Sequence, residues 1–254
     1  MEIVRKPLQG VGNIVRFNWH FYALAAAAAL GLGAVWLAGP PVVRDWAPWL
    51  LAALLVPVVV SLAVSAYVYD FSGLYRLAWL PAAKAACPNI LTVNAGFDEI
   101  SAAIEQKYAP CDVQAVDFYD PARHTEVSIR RARRAYAPFP GTRAVDSRAA
   151  LPWPDNSIDL AFAFLAAHEI RDPAERADFF RELRRVIKPD GQIIVTEHLR
   201  DAANFLAYTV GFLHFHSRRA WLRTFRSAGL AVAQEVAATP FITTFILRKN
   251  AGAA

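Results

Sequence analysis

Two aspartates stand near the carboxyl ends of short apolar segments in the middle of the chain. Asp117 lies in the segment Val113 to Phe118, and Asp146 closes the segment Thr142 to Asp146. A carboxylate only accepts hydrogen bonds, so each suits a ligand that offers hydroxyl or amino hydrogens. The alternatives are a helix-capping role for Asp117 and an ordinary turn for Asp146.

A tight turn is predicted after the apolar segment Asn89 to Val93. Its residues are Asn94, Ala95, Gly96, Phe97 and Asp98. Glycine adopts left-handed backbone angles freely, and asparagine and aspartate tolerate them best among the other residues. Such a turn lets backbone N–H groups approach a ligand closely.

Histidine and glutamate side chains follow two later apolar segments. His168 comes after Ile158 to Phe164, and Glu197 and His198 come after the segment that begins at Ile193. Because histidine titrates near neutral pH, His168 and His198 are candidate catalytic groups. A hydrogen-bonding role in the wall of a site explains His168 as well.

The segment Asn204 to Ser217 is aromatic and nearly free of charge. His214 and His216 lie two residues apart in it, so on a strand they would share one face. We expect no metal site, because no third ligand stands nearby in the sequence. The segment is interpreted either as an apolar wall for a lipophilic ligand or as ordinary packing.

The elements that must position these residues alternate between strand and helix from Ala144 to Glu197. Ile158 to Phe164 is apolar on both faces after its single aspartate, as in a strand covered on both sides. Asp172 and Pro173 open a helix, and Lys188 to Gly191 is predicted as the turn that ends it. This alternation predicts an α/β fold with a doubly wound parallel sheet.

Further elements are predicted on both sides of this region. Three strands and two helices precede it: strands Asn89–Val93, Val113–Phe118 and Thr142–Asp146, and helices Asp98–Tyr108 and Asp120–Tyr136. Two strands follow a helix that ends at Gly229: Leu230–Glu235 and Phe241–Arg248.

The sequence LPWPDNSIDLAFAFLAAHEI, followed by FFRELRRVIKPDGQIIVTE, is similar to the second half of the class I S-adenosylmethionine-dependent methyltransferase domain of the type 11-like group. The resemblance implies a seven-stranded Rossmann-like sheet over residues 89–249, with an antiparallel last strand. It also implies S-adenosylmethionine as the cofactor and methyl transfer as the activity.

Residue roles follow from the same resemblance. The turn after the first strand contacts the cofactor through Asn94, Ala95, Gly96 and Asp98, and Gly96 is the one glycine kept of the three that the family usually has there. Asp117 is implied to bind the ribose and Asp146 the adenine. Their neighbours Phe118 and Ser147, and Phe164 in the floor of the site, complete the implied cofactor residues. The implied acceptor-binding residues are His168, Glu197, His214 and His216.

Two charge-free stretches near the N-terminus, Phe17 to Val43 and Trp46 to Tyr69, are each long enough to cross a membrane, which takes about 20 residues of helix. We predict a transmembrane hairpin in residues 1–70, with spans at about 18–40 and 47–69. A second span follows the first at once, which argues against a cleaved signal peptide. The linker at residues 71–88 is predicted to contain an amphipathic helix on the membrane surface.

The distribution of charge favours a membrane partner. Lysine and arginine flank the predicted hairpin and its short loop is nearly neutral, so the positive-inside rule predicts a multi-pass protein of the inner or cell membrane with a cytoplasmic catalytic domain. The net charge is +5, and the only dense basic run, at residues 130–134, contains no aromatic residues. This fits an anionic membrane surface rather than nucleic acid.

The function predicted from these features is a membrane-anchored methyltransferase that acts on a lipophilic small-molecule or lipid acceptor. The alternative is a catalytically inactive methyltransferase-like binding or scaffold protein at the membrane, which the sparse glycine turn would suit. The sequence carries no signature of a particular acceptor, of the atom methylated or of an oligomeric state.

Overall fold

A seven-stranded mixed sheet forms the centre of the computed structural model, which describes residues 5–250. The strands are β1 Asn89–Asn94, β2 Asp112–Asp117, β3 Arg143–Ala144, β4 Ile158–Phe164, β5 Ile187–His198, β6 Leu230–Thr239 and β7 Ile242–Lys249. Their order is β3-β2-β1-β4-β5-β7-β6, and β7 alone in this sheet runs against its neighbours β5 and β6. The predicted Rossmann-like sheet with an antiparallel last strand is confirmed.

Helices cover both faces of the sheet. They are α5 Ser101–Tyr108, α6 Val127–Ala135, α7 Pro173–Val186, α8 Ala202–Tyr208 and α9 Arg218–Ser227. Successive side chains along each strand point to opposite faces of the sheet and so enter two different apolar cores. One core contains residues of α7 and α9, and the other contains residues of α5. Burial on both faces explains why β4 is apolar throughout.

The predicted start of α7 is confirmed in detail. Asp172 is its N-cap, and the side-chain Oδ1 accepts hydrogen bonds from the N–H groups of Ala174 at 3.0 Å and Glu175 at 2.8 Å. Pro173 occupies the first turn, where no intrahelical N–H donor is needed. The helix is therefore fixed at the end that adjoins the residues after β4.

Several predicted boundaries differ from the structure. The helix expected over residues 120–136 spans only Val127–Ala135, because residues 120–124 form a turn in which His124 Nδ1 accepts from the Asp120 N–H at 2.9 Å. The third strand is reduced to Arg143–Ala144. The expected turn at residues 188–191 belongs to β5, where a Cβ on Gly191 would lie 2.8 Å from the Asp159 carbonyl oxygen.

The predicted amphipathic helix in residues 71–88 is wrong. Only a 3₁₀ turn, Leu74–Arg76, forms there. Gly73 and Leu77 bracket it with left-handed φ angles of 78° and 54°, which no continuous helix contains. Its leucines instead pack into the same core as α5.

A helical hairpin precedes the sheet. It consists of α1 Gln9–Phe17, α2 Trp19–Ala38, α3 Pro41–Arg44 and α4 Ala47–Ala66, which continues into a π-helical turn at Tyr67–Phe71. Two helical stretches, Trp19–Ala38 and Pro41–Arg76, are long and apolar enough to cross a membrane by length and composition. Residues 1–4 of the predicted 1–70 segment lie outside the described residues.

Asp70 connects the end of the hairpin to its beginning. Its two carboxylate oxygens accept hydrogen bonds from the N–H groups of Gly10 at 2.7 Å and Val11 at 2.9 Å. A carboxylate is favourable at a helix N-terminus, so this contact fixes α1 beside the exit of α4.

Candidate active site

The carboxyl ends of the central parallel strands meet at one edge of the sheet. Asn94 on β1 is the register partner of Asp117 on β2, and Asp117 is the partner of Ala144 on β3. Phe164 on β4 is the partner of Thr196 on β5. Ligands of doubly wound sheets bind at this edge, where Asn94, Asp117 and Phe164 lie.

The turn after β1 has the expected geometry. Gly96 has a left-handed φ of 93°, and the Asn94 side-chain oxygen accepts from the Gly96 N–H at 3.3 Å. Asp98 Oδ1 accepts from the N–H groups of Ile100 and Ser101 at 3.1 and 3.0 Å, so it caps α5. Asn94 Nδ2 and Asp98 Oδ2 are buried without a hydrogen-bond partner among the described residues, which leaves polar valences for a ligand.

Asp117 lines a cavity of about 190 Å³ together with Asn94, Gly96 and Ala144. Its Oδ1 accepts from the Tyr119 N–H at 2.9 Å, and its Oδ2 accepts from the guanidinium of Arg133. Arg133 also stacks on Tyr119, with its guanidinium carbon 4.5 Å from the ring centroid. Arg133 belongs to the basic run that was interpreted as fitting an anionic membrane surface, and no local sequence pattern indicated its contact with Asp117.

Two residues beside the predicted cofactor acids have structural roles. Phe118 is buried in the core, with its ring centroid 5.6 Å from that of Phe179. Ser147 donates to Glu175 Oε1 at 2.6 Å. Their side chains are outside the 190 Å³ cavity.

Asp146 lies on the rim of this half of the edge. Its side chain is 61% exposed and 3.9 Å from Arg123, and its Oδ1 accepts from the Arg148 N–H at 2.9 Å. The carboxylate has no contact with the cavity that contains Asp117. Phe164, by contrast, lines an adjoining cavity of about 110 Å³ with Ala95, as expected for the floor of the site.

His168 is held between two carboxylates. Its Nδ1 donates to Glu197 Oε2 at 2.7 Å, and its Nε2 lies 3.3 Å from Glu169 Oε1. Burial lowers the pKa of His168, but the charge of Glu197 and hydrogen bonds to Glu169 and Glu197 outweigh it and raise that pKa to about 10. A histidine held in this way suits the hydrogen-bonding role in the wall of the site better than the role of a general base at neutral pH.

His198 has the opposite environment. Its Nδ1 donates to the Asn204 side-chain oxygen at 3.0 Å and to the Phe241 carbonyl at 2.9 Å, so its Nε2 accepts from the Tyr69 hydroxyl at 2.8 Å. Burial, together with the nearby charge of His168, lowers the pKa of His198 to about 4. His198 is therefore neutral, and the lone pair on its Nε2 accepts the hydrogen bond from Tyr69, a residue that no local sequence pattern indicated.

His214 and His216 do not share a face, because Thr209–His214 is a 3₁₀ helix rather than a strand. His216 Nε2 accepts from Arg176 at 2.9 Å, and burial and the charge of Arg176 lower the pKa of His216 to about 3. His214 instead joins the residues after β4: its Nε2 lies 3.3 Å from Glu169 Oε1. The fold thus supplies the neighbours that the sequence around His214 lacks.

A second cavity, of about 240 Å³, lies on this side of the edge. His168, His198 and Phe215 form part of its wall, and α1, the end of the hairpin and the linker contribute residues that include Ile14, Phe17, Tyr69 and Tyr75. The turn after β1 and helix α6 also line it. Most of these side chains are apolar or aromatic. The hairpin therefore contributes directly to the site, which no local sequence pattern indicated.

Comparison with known proteins identifies the domain type. Residues 91–195 match the family model described as a methyltransferase domain. No curated protein matches the sequence. The family match begins within β1 and ends within β5. The hairpin and the last two strands therefore lie outside it.

Solved structures share the fold at low sequence identity. An S-adenosylmethionine-dependent methyltransferase from Methanosarcina mazei is 17% identical, with a TM-score of 0.47 over 65% of this chain and 93% of that one. One from Aquifex aeolicus is 16% identical, with a TM-score of 0.49 over 75% and 97%. An O-methyltransferase family 2 protein from Planctomyces limnophilus, in complex with apigenin, is 13% identical, with a TM-score of 0.51 over 76% and 61%.

Residues 91–195 therefore form a methyltransferase domain, which implies S-adenosylmethionine as the cofactor. The residues on the β1–β2 side fit this group. Asp117 accepts hydrogen bonds and suits a ribose diol, and the unpaired polar atoms of Asn94 and Asp98 suit the charged amino-acid end. The left-handed Gly96 keeps a side chain out of the turn between them.

Proposed function

We propose that this chain is a membrane-anchored methyltransferase that transfers a methyl group from S-adenosylmethionine to a lipophilic small molecule or lipid. The observation that carries the proposal is that the hairpin ends on the acceptor side of the site, where the Tyr69 hydroxyl lies 2.8 Å from His198 Nε2. An acceptor dissolved in the membrane would reach the 240 Å³ cavity from the base of the hairpin.

The distribution of exposed apolar side chains supports membrane anchoring. Among the described residues, every exposed large hydrophobic side chain except Val127 lies within residues 8–71 or 205–213. No residue of α2 is buried, although one side of the helix packs against α4, so most of its apolar surface is exposed. A helix that is apolar all round is stable in a bilayer or in a large core, and no core surrounds this one.

The segment from α8 to His214 supports an acceptor entrance at the same surface. α8 packs against α4, and the rings of Tyr67 and Phe241 lie 6.4 Å apart beside it. Leu206 and Val210 are 71% and 77% exposed, although they lie in the globular half of the chain. An apolar surface continuous with the hairpin is expected where the domain touches the hydrocarbon or headgroup region.

The two sides of the edge divide the work of the reaction. S-adenosylmethionine supplies an electrophilic methyl group on its sulfonium. Asp117 and the turn at Gly96 hold the cofactor, whereas the wall formed by Tyr69, His198 and Phe215 holds the acceptor. Orientation of the acceptor atom in line with the methyl group supplies most of the acceleration that such a site can provide.

A second candidate function is a methyltransferase-like protein that binds a lipid without catalysis. One observation favours it: Arg133 already binds Asp117, the residue that should receive the ribose. Cofactor binding requires Arg133 to rotate away or to share the carboxylate, and a chain in which it does neither would be inactive.

The test is methyl transfer from labelled S-adenosylmethionine into the organic-soluble fraction. The full chain in detergent is mixed with total lipid extract from the membranes in which it is expressed. We expect labelled lipid product from the wild type, a loss of at least about 100-fold for Asp117→Ala, and normal yield for Asp112→Ala, since two charge-assisted hydrogen bonds are lost only in the first.

Asp112 is a matched control because it is an exposed aspartate on the same strand, at the end away from the site. Binding of the cofactor without labelled organic-soluble product would contradict the enzyme proposal and support the binding protein. Equal product yields for wild type and Asp117→Ala would contradict the assignment of the ribose acid.

A further inference from the structure

We propose that His168, Glu169 and His214 form a binding site for a divalent transition-metal ion at the border of the acceptor cavity. One possible ligand atom from each residue lies within 4.8 Å of the other two. The residues come from two separate segments, the 3₁₀ turn after β4 and the 3₁₀ helix that follows α8. The side chains of His168 and Glu169 are only 13% and 10% exposed.

The distances between the ligand atoms suit a small metal ion. Glu169 Oε1 lies 3.3 Å from His168 Nε2 and 3.3 Å from His214 Nε2. Bond lengths of about 2.0–2.1 Å at tetrahedral angles place neighbouring ligand atoms about 3.3–3.4 Å apart. Two of the three distances thus match those around a tetrahedral ion, and all three ligand atoms lie within 4.8 Å of one another, so side-chain rotation and release of the imidazole protons complete the site.

Each histidine is also oriented as a metal ligand is. His168 Nδ1 donates to Glu197 Oε2 at 2.7 Å, and His214 Nδ1 lies 3.1 Å from Glu126 Oε1. A carboxylate on Nδ1 fixes the ring and turns Nε2 toward the ion, which is the usual outer arrangement of metal-bound histidines. Here both rings have it, and both Nε2 atoms face the same oxygen of Glu169.

The backbone that carries the two histidines is held together by one side chain. Arg171 donates hydrogen bonds to the carbonyl oxygens of His168 at 3.2 Å and His214 at 2.5 Å. The spacing of the ligands is thus fixed before any ion binds, and pre-organisation of this kind lowers the entropic cost of binding.

The ligand set defines the class of ion. Two imidazoles and one carboxylate suit zinc, cobalt, iron or manganese better than magnesium or calcium, which prefer oxygen ligands only. Three protein ligands leave at least one coordination position open. His168 lines the 240 Å³ cavity and Glu169 the 110 Å³ cavity, so the open position lies where these two spaces adjoin.

An ion in this position would bind a hydroxyl or carbonyl oxygen of the acceptor and orient it toward the cofactor side. This role rests on the proposed function, whereas the metal site itself does not. The acceptor class that follows is a lipophilic molecule with an oxygen donor.

The test is a titration of the untagged full chain in detergent with Co²⁺ after treatment with chelator. Visible d–d absorption reports tetrahedral or five-coordinate Co²⁺, and equilibrium dialysis gives the stoichiometry. We expect about one Co²⁺ per chain, displaced by Zn²⁺. Glu169→Gln and His214→Gln should each weaken binding by more than about tenfold.

The matched control is His216→Gln, two residues from His214 but bonded to Arg176 instead of Glu169. It should bind Co²⁺ as the wild type does. Circular dichroism verifies that each variant is folded, and a rise in the melting temperature of the wild type with Zn²⁺ gives a second measurement that needs no variant.

Folded wild-type protein that retains no Co²⁺ and shows no rise in melting temperature with Zn²⁺ would overturn the proposal, leaving a hydrogen-bonded histidine network. Unchanged Co²⁺ affinity in both Glu169→Gln and His214→Gln would overturn it as well. Because these measurements use neither S-adenosylmethionine nor acceptor, their failure is distinct from failure of methyl transfer.

Discussion

The two halves of the strand edge are built in different ways. The cofactor half consists of residues at the ends of neighbouring strands, Asn94, Gly96 and Asp117, and it surrounds an open polar cavity. The acceptor half collects His168, Glu197 and His198 with Tyr69 of the hairpin, and its titratable groups are buried. The proposed cofactor site is therefore built from residues at the ends of neighbouring strands, whereas the proposed acceptor site depends on contacts between residues far apart in the sequence.

The largest effect is expected in the acceptor half. Glu197 is fully buried and bonds both the ring and the backbone N–H of His168. Glu197→Ala removes one of the two carboxylates that hold the buried His168 and should destabilise the fold by about 3–5 kcal/mol, which lowers the melting temperature by more than about 6 °C. Glu235→Ala, which breaks the exposed pair with Arg218, should leave the melting temperature almost unchanged.

Tryptophan fluorescence during heating measures both variants. If Glu197→Ala melts like the wild type, the acceptor half is not the rigid, interlocked region described above, and the contrast between the halves is lost.

The next effect should be confined to the cofactor half. Asp117→Asn weakens acceptance of two ribose hydroxyls, so the Kd for S-adenosylmethionine should rise by about 30- to 150-fold, which corresponds to about 2–3 kcal/mol. The melting temperature without cofactor should change little, because Asp117 pairs with the exposed Arg133. Calorimetry measures the affinity; a large loss of stability with unchanged affinity would reverse the assignment.

His198 in the acceptor half should contribute to the pH dependence of stability. Its folded pKa of about 4 lies below the unfolded value of about 6.5, so the unfolded state binds the extra proton as pH falls. The contribution of His198 to stability is therefore complete above pH 6.5 and declines toward pH 4, with a loss of about 2 kcal/mol between pH 7 and 5.

His198→Gln removes this titration. Its melting temperature should fall less than that of the wild type between pH 7 and 5, by about 4–8 °C. If the melting temperatures of the two proteins fall in parallel with pH, burial of His198 does not contribute to the loss of stability at low pH.

The smallest effect concerns the competitor in the cofactor half. Arg133→Ala frees the Asp117 carboxylate, so the affinity for S-adenosylmethionine should rise by about three- to tenfold, equivalent to about 1 kcal/mol. Arg134→Ala, in the same exposed run, is the matched control. A decrease in affinity for Arg133→Ala would mean that this arginine binds the cofactor instead of competing with it.

Local patterns in the sequence predicted the sheet and the position of Asp117 at a strand end. The apolar strand β4, the capped start of α7 and the position of Asp117 all depend on residues close together in the chain. Since parallel strands bring their carboxyl ends together, a strand-end aspartate could be placed without knowledge of distant contacts.

The linker shows where local patterns mislead. Leu74, Leu77 and Leu80 recur every three residues, which is also the spacing of one face of a helix. In the structure they are buried against the sheet by a chain that turns at Gly73 and Leu77 with left-handed backbone angles. The three-residue spacing correctly indicates that the leucines are buried, but the backbone that buries them is not a continuous helix.

The acceptor half could not be predicted because its contacts span much of the chain. Tyr69 and His198 are 129 residues apart, and His214 and Glu169 are 45 apart. A search for metal ligands near His214 in the sequence therefore found none, although the fold brings two. Arg133 lies only 16 residues after its partner Asp117, but no local spacing links the two.

The central claim is that the acceptor half opens toward a membrane, and photo-crosslinking with lipids tests it most directly. The full chain in phosphatidylcholine–phosphatidylglycerol nanodiscs containing a photoactivatable phospholipid is irradiated, digested and mapped by mass spectrometry. We predict lipid adducts on α2, on α4 and on residues 205–213, where Leu206 and Val210 are exposed, and none on α5. Adducts confined to the hairpin, with residues 205–213 unlabelled, would contradict an acceptor site that opens at the membrane surface.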